Sequence, residues 1–339
     1  MPQLDGLRAV AMMGVVYHHW FPADWRWHAP TEAGLFLFFL LSGFLMTQGL
    51  LREAEVDTTG QILRRFHLKR LQRIYPAYYV ALALGALLGI KEIWHSPWVW
   101  LVNGQNFLIQ QCGYWPPGAA HFWTLAVEQQ YYLFWPLLIL WVPRRALPIV
   151  LLLLALSAPV FRAYAASQSW WSVDLLPWSV IDQFALGSLW AYAMHHCGKI
   201  SRRWLDAVGL IALLGYAWLY GSWELGHAVP HWCHWQQTLL AIVFLVLISR
   251  ASLGQCGWFS SVLEHPWLTK LGQRSYGIYL FHNLAPLVAG KIFWFLWDDR
   301  LHPTLAIWLR IPVFALLTWG ISAACHRWIE SKINAIRVI

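Results

Sequence analysis

Charge is scarce in this chain. Asp, Glu, Lys and Arg make up 12% of its 339 residues, where an ordinary soluble domain carries about 25%. So few charges cannot coat a water-facing sphere of this size. A soluble globular domain, a disordered chain and a nucleic-acid-binding protein are excluded on that ground. Acidic residues are the scarcer kind, 16 against 24 Lys and Arg, for a net charge of +8. Cysteine is rare as well. Cys112, Cys197, Cys233, Cys256 and Cys325 form no CxxC pair, and an odd count argues against a full disulfide framework. No positive cluster precedes the first apolar stretch and no small-residue cleavage site follows it, so a retained first span is expected. A lipidation signal, an internal repeat of fixed period and a Ser/Gly/Pro-rich linker are also missing. The expectation is a single integral-membrane unit over residues 1–339.

Apolar surface is what the chain has instead: 59% of residues are hydrophobic and the mean hydropathy is +0.46. A bilayer span takes about 20 apolar residues. Ten candidate runs cover roughly 4–20, 33–51, 74–90, 122–142, 146–161, 175–195, 205–221, 236–250, 274–297 and 304–326. This predicts an all-α fold, a polytopic membrane bundle of about ten transmembrane helices. Seventeen of the 24 Lys and Arg then fall in alternate loops on one side. The positive-inside rule puts that side, with both termini, in the cytoplasm. The same topology sorts the 26 tryptophans unevenly, fourteen toward the outer face and five toward the cytoplasm. Longer outer loops account for part of that skew. An aromatic vestibule for sugar rings, including Trp25, Trp27, Trp170 and Trp171, is the functional reading of the rest.

Ionisable residues inside spans are costly and often mark a site. At about 100° per residue, Arg8 and His19 share one helix face about 16 Å apart, while His18 points elsewhere. Asp5 lies one turn before Arg8, within reach of it. Two interfacial histidines at a helix end would give the same pattern. In the fourth span His121 and Glu128 fall on one face. A carboxylate so deep needs a partner or stays protonated, and a structural ion pair is the plain alternative to a site. Ser275, Tyr279 and His282 form a third polar stripe. Asp182 and Glu330 complete the set. Arg70 and Arg73 stand three apart just before Pro76, which is expected to open the third span. Two guanidiniums at that spacing suit phosphate oxygens, although membrane anchors would look alike. Polar stripes on spans one, four and nine together suggest a polar cavity in the bundle. His227, His231, Cys233 and His234 cluster in one loop, but their spacing fits no standard zinc pattern, so no metal site is expected.

In chain order the motifs are Leu4-Asp5-Gly6-Leu7-Arg8-Ala9, with an Arg followed by ten residues and His19; Leu37-Phe38-Phe39-Leu40-Leu41-Ser42-Gly43-Phe44-Leu45; Arg70 and Arg73; His121-Phe-Trp-Thr-Leu-Ala-Val-Glu128; Ser275-Tyr276-Gly277-Ile278-Tyr279-Leu280-Phe281-His282; and His326-Arg-Trp-Ile-Glu330. This ordered set resembles the membrane acyltransferase-3 family, polytopic enzymes that O-acylate carbohydrates and some small molecules. The resemblance covers nearly the whole chain. It departs at Thr124, where the family has Ser, and at Ser331-Lys332, where it has Pro. It implies a multi-pass protein of a bacterial cell (inner) membrane. The donor would be acyl-CoA, most simply acetyl-CoA, with no metal. The acceptor would be a hydroxyl of a cell-surface or lipid-linked carbohydrate, or of a small molecule such as a macrolide. It implies His19 as the catalytic residue, with Arg8 in support and Arg70 and Arg73 near the donor.

Some relatives carry an additional C-terminal esterase-like domain, and a stand-alone form is the expectation here. Glu128 is a further catalytic candidate, orienting a histidine or accepting a proton. Asp5, Ser42, His121, Trp123, Tyr276 and His282 are supporting candidates, with Tyr276, Trp123 and Ser42 as oxyanion donors. His19 suits either general-base or nucleophilic catalysis. A transporter is the competing class, though the two-half symmetry typical of one is not visible.

Overall fold

The computed structural model describes residues 1–25, 33–197, 201–225, 233–297 and 302–334. Every regular element among them is helical. In order these are α1 (Pro2–Trp20), α2 (Ala33–Glu53), α3 (Thr59–Leu87), α4 (Lys91–His95), α5 (Pro97–Leu101), α6 (Gln105–Cys112), α7 (Phe122–Trp141), α8 (Leu147–Ser167), α9 (Ile181–His196), α10 (Arg202–Glu224), α11 (Gln236–Ser252), α12 (Ser260–Leu263), α13 (Pro266–Gln273), α14 (Ser275–Phe281), α15 (Ala285–Ile292), α16 (Pro303–Cys325) and α17 (Ser331–Asn334).

The all-α expectation holds, but the bundle of about ten spans does not. Among the described residues only α2, α8, α10 and the segment Pro303–Ile333 are long and apolar enough to cross a membrane. A fifth span is reached if Gln236–Ser252 and Gly257–Leu263, bent by 70°, count as one. The shortfall has physical causes. Helix α1 carries Asp5, Arg8, His18 and His19, and α7 carries Glu128, Gln129 and Gln130. Helix α9 has 16 residues, and the expected ninth span is broken into α14 and α15, of 7 and 8 residues. Each is too polar or too short for a span of about 20 apolar residues. The two-sided sorting of loops, termini and tryptophans depended on ten spans and falls with them. Helix α10 lies at the periphery, with 17% of its span buried against protein, whereas the more apolar α2 is 61% buried.

Helix α2 is central and packs on α9, α1, α7 and α11. Its crossing with α9 is close because Gly43 and Gly187 face the opposing backbone. A Cβ on Gly187 would stand 2.1 Å from the Leu40 carbonyl oxygen, and one on Gly43 2.2 Å from that of Phe184. Small residues let membrane helices touch along their backbones. One turn on, a buried knot ties three helices. Thr47 donates to Ser188 (2.7 Å), Ser188 to the Gly43 carbonyl (3.1 Å) and the Trp135 indole to Ser188 (3.0 Å). In a medium without water such hydrogen bonds have no competitor. The knot fixes α7 against α2, and so sets Glu128 opposite Ser42.

Candidate active site

Helices α1, α2, α3, α7 and α14 enclose a cavity of about 210 Å³. Its polar lining is Arg8, Ser42, Arg70, Arg73, Thr124, Glu128, Tyr132, Ser275, Tyr276 and Tyr279. A larger chamber of about 550 Å³ adjoins it, sharing Leu45, Met46, Arg70, Arg73 and Tyr276 as a common wall. The larger chamber adds Glu53, Lys69, Gln72, Gln273, Arg274, Ser322, His326 and Glu330. Part of each polar stripe therefore meets around one cavity: Arg8 of α1, Glu128 of α7, and Ser275 and Tyr279 of α14, whereas His19, His121 and His282 do not line it.

Helix α3 delivers the two arginines. Its start is fixed by a capping box between Thr58 and Gln61. Arg65 hydrogen-bonds Asp57 there, and that bond raises the Arg65 pKa above the ordinary arginine value. Arg65 and Lys69 also lie 3.5 and 3.7 Å from Glu53. Arg70 and Arg73 form no ion pair among the described residues. Arg70 sits over the Tyr132 ring at 5.0 Å and the Phe66 ring at 5.5 Å, a cation–π seat that orients the guanidinium without neutralising it. Pro76 does not open a span as expected: α3 runs through it, so both arginines lie within one continuous helix.

Arg8 pairs with Asp5 at 3.4 Å. Glu128 accepts a 2.5 Å hydrogen bond from the Ser42 hydroxyl, with the Tyr132 hydroxyl 3.4 Å from Ser42. Glu128 thus pairs with α2 rather than with His121. The cavity faces three guanidiniums and one carboxylate, a field suited to an anion. Tyr276 borders both chambers, but its hydroxyl donates to the Ile74 carbonyl at 2.9 Å, so it has a backbone partner in place of a reacting oxyanion. Trp123 lies outside the cavity lining and packs edge-on against Phe39 in the apolar core.

His19 is not in the cavity. It is exposed near the far end of α1, about 16 Å along the helix from Arg8, with its ring centroid 5.0 Å from that of His282. His282 in turn lies 4.8 Å from His121. Both of the latter are buried, at 0% and 2% exposure. A single layer of side chains separates this imidazole cluster from the cavity. Thr124 and Tyr279 line the cavity and share a 2.5 Å hydrogen bond, and both hydroxyls lie 3.0 Å from the His121 carbonyl oxygen. Helical alignment correctly placed Arg8 and His19 on one face but did not show that they open into different spaces. Tyr132, Thr124 and Arg274 were missed as lining residues. For Tyr132 the signal was its place one turn beyond Glu128.

Asp182 belongs to neither space. It accepts from Arg162 (2.9 Å) and Thr238 (2.6 Å) in a buried knot joining α8, α9 and α11. Glu330 lines the larger chamber and pairs with His326 at 3.2 Å. Of the loop histidines set aside as a metal site, His227 and His231 lie outside the described residues, as does Trp27. Among the described residues no group of three His, Cys, Asp or Glu is placed to hold a metal ion.

Comparison with known proteins gives the cavity its context. No solved structure matches the chain. The peptidoglycan O-acetyltransferase OatA of Listeria monocytogenes is 27% identical over 312 residues, covering 83% of this chain and 49% of that protein. A Staphylococcus aureus protein named "Putative O-acetyltransferase" is 26% identical over 318 residues, covering 83% of this chain and 50% of its own length. The chain therefore spans about half the length of the curated relatives it matches. These relatives are bacterial, and with four membrane-length helices the chain is a multi-pass protein of the bacterial cell membrane. The acyltransferase domain family matches residues 1–327, and the chain belongs to that family.

Proposed function

We propose that this chain moves an acetyl group from acetyl-CoA to a hydroxyl of a cell-wall or lipid-linked glycan, with peptidoglycan the first acceptor to test. The observation that carries the reading is the pair Arg70 and Arg73 on the common wall of two chambers, neither neutralised by a carboxylate among the described residues. A nucleotide diphosphate with a long thioester arm fits that arrangement. Arg70 and Arg73 hold its phosphates, bidentately where geometry allows. The smaller cavity takes the arm, past Arg8, steadied by Asp5, and past the Ser42–Glu128 pair. Acetyl-CoA supplies an activated thioester at the arm's end. His19 removes the proton of the acceptor hydroxyl as its oxygen bonds the acyl carbon, and returns that proton to the departing sulfur. Thr124 and Tyr279, between cavity and imidazoles, are the layer that the arm must pass. The whole chain works as one unit in the bilayer, without a metal.

The test is transfer of label from [14C]acetyl-CoA to peptidoglycan glycan chains by the purified protein in lipid vesicles. Base-labile label on the glycan is expected. Label on a macrolide but not on glycan would overturn the acceptor assignment. No transfer to either would overturn the reading as a whole.

Donor affinity gives a separate check. Removing one partner of a charge-assisted phosphate contact costs about 1.5–3 kcal/mol. Arg70→Ala and Arg73→Ala are each expected to weaken acetyl-CoA binding by roughly tenfold to a hundredfold in calorimetry. Unchanged affinity in both variants would make them membrane anchors.

A further inference from the structure

The imidazole cluster holds two buried ring nitrogens that nothing satisfies: Nδ1 of His121 and Nε2 of His282. Their protonation follows from the other nitrogen of each ring. His282 Nδ1 lies 2.5 Å from the Tyr279 carbonyl oxygen, and His121 Nε2 lies 3.1 Å from that of Leu280. A carbonyl oxygen only accepts, so each of these nitrogens carries the hydrogen. In the neutral rings His282 Nε2 and His121 Nδ1 are then bare lone pairs, buried and without a donor. A buried acceptor left unpaired costs free energy, and such an orphan calls for an explanation.

His19 is the ring beside His282, and its position there is fixed. The next residue, Trp20, donates its indole N–H to the His282 carbonyl oxygen at 3.0 Å. That bond fastens the last turn of α1 to the end of α14. It holds the His19 and His282 centroids at 5.0 Å with the planes inclined at 51°, close enough for a small rotation of the exposed ring to bring N–H to lone pair. We propose that His282 is the positioning residue for His19, accepting a hydrogen bond from one ring nitrogen of His19 through its own bare Nε2. The proposal rests on His19 being the base. With one nitrogen of His19 committed to His282 as N–H, the other is the one that takes the acceptor's proton. When His19 takes the hydroxyl proton, the positive charge is shared with a neighbour that is already a fixed acceptor. The proton then leaves to the sulfur, and His282 ends unchanged. Its tautomer is preset by the Tyr279 carbonyl, so no reorganisation is needed during the step.

Two substitutions separate this role from a structural one. His282→Asn places an amide N–H where Nδ1 stands, keeping the bond to Tyr279 but losing the acceptor aimed at His19. His282→Gln places its amide where Nε2 stands, keeping an acceptor for His19 but losing the bond to Tyr279. Positioning predicts that kcat for acetyl transfer from acetyl-CoA to peptidoglycan chains falls about a hundredfold in His282→Asn. It predicts a fall of about tenfold or less in His282→Gln, with KM for acetyl-CoA unchanged in both. The reverse order would mean that His282 only fastens α14, and overturns the proposal. Equal loss in both, or wild-type rates in both, overturns it too. Should His282→Asn fail to purify as folded protein, ring-15N spectra of the wild type decide. His282 Nε2 must show a hydrogen bond that disappears in His19→Ala, and its absence in the wild type would refute the pairing. A wild-type rate in His19→Ala would instead remove the base assignment itself, whatever His282 does.

Discussion

Replacing His19 by Ala is expected to lower acetyl transfer by about 10²–10⁴-fold, the contribution of a well-placed general base, and to leave the protein folded. The second half of that expectation comes from the structure. His19 is exposed near the end of α1, so truncating it opens no cavity in a core, and surface changes of that kind typically cost less than about 0.5 kcal/mol. The fastening of α1 to α14 runs through Trp20, which the substitution leaves in place. Imidazole is the side chain whose ordinary pKa allows it to take and return a proton near neutrality. His18 is the internal control. Its ring stands perpendicular to that of His19, with centroids 5.2 Å apart, and one residue along a helix turns it about 100° from the imidazole cluster. His18→Ala should therefore cost much less. The measurement is kcat with labelled acetyl-CoA at matched amounts of monodisperse protein. A rate for His19→Ala near that of the wild type would return both histidines to the role of interfacial residues.

How far the site was legible follows from what helical periodicity can report. Spacing puts residues on a face, so the polar stripes of α1, α7 and α14 were readable, and Arg8, Ser42, Glu128, Arg70, Arg73 and Tyr276 do surround one cavity. Spacing says nothing about which neighbour a face meets at each level along the axis. Arg8 and His19 lie on one face, yet Arg8 opens into the cavity while His19 meets His282 beyond the Thr124–Tyr279 layer. His121 and Glu128 divide in the same way, one toward Leu280 and the other toward Ser42. The span count failed for a related reason. Hydropathy reads α2, α8 and α10 well because each is long and apolar along its length. Of the helices that build the site, α1 and α7 carry the polar residues that end the apolar run, and the segment bearing His282 breaks between α14 and α15. The orphaned ring nitrogens were beyond the sequence altogether, since a tautomer is set by a partner that only the fold supplies.

Asp182→Ala should be the most destabilising of the changes considered, costing about 3–5 kcal/mol, as breaking a buried ion pair by removing one partner does. The Arg162 side chain is 4% exposed and that of Asp182 is 0% exposed. Every arm of the guanidinium is used. It donates to Asp182 at 2.9 Å, to Thr238 at 2.7 Å, to the His234 carbonyl at 3.0 Å and to the Ser179 carbonyl. Asp182 is equally occupied, accepting from Thr238 at 2.6 Å and from the Gln183 N–H at 3.1 Å. Removing the carboxylate leaves a guanidinium whose charge no other acid in this knot balances, in a setting with no water to solvate it. The knot joins α8 and α11 to α9, the helix whose Gly187 seats α2, so its loss loosens the scaffold behind Ser42. The defect should appear as a lower denaturation midpoint in detergent and a smaller yield of folded protein. The rate per folded molecule should fall far less than in His19→Ala, because neither Arg162 nor Asp182 lines the cavity. Replacing both partners together, Arg162→Met with Asp182→Leu, should recover most of the stability, since an apolar pair of similar volume carries no uncompensated charge. A double variant no more stable than Asp182→Ala would show that the hydrogen bonds to Thr238, Ser179 and His234 hold α8, α9 and α11 together, rather than the balance of charge.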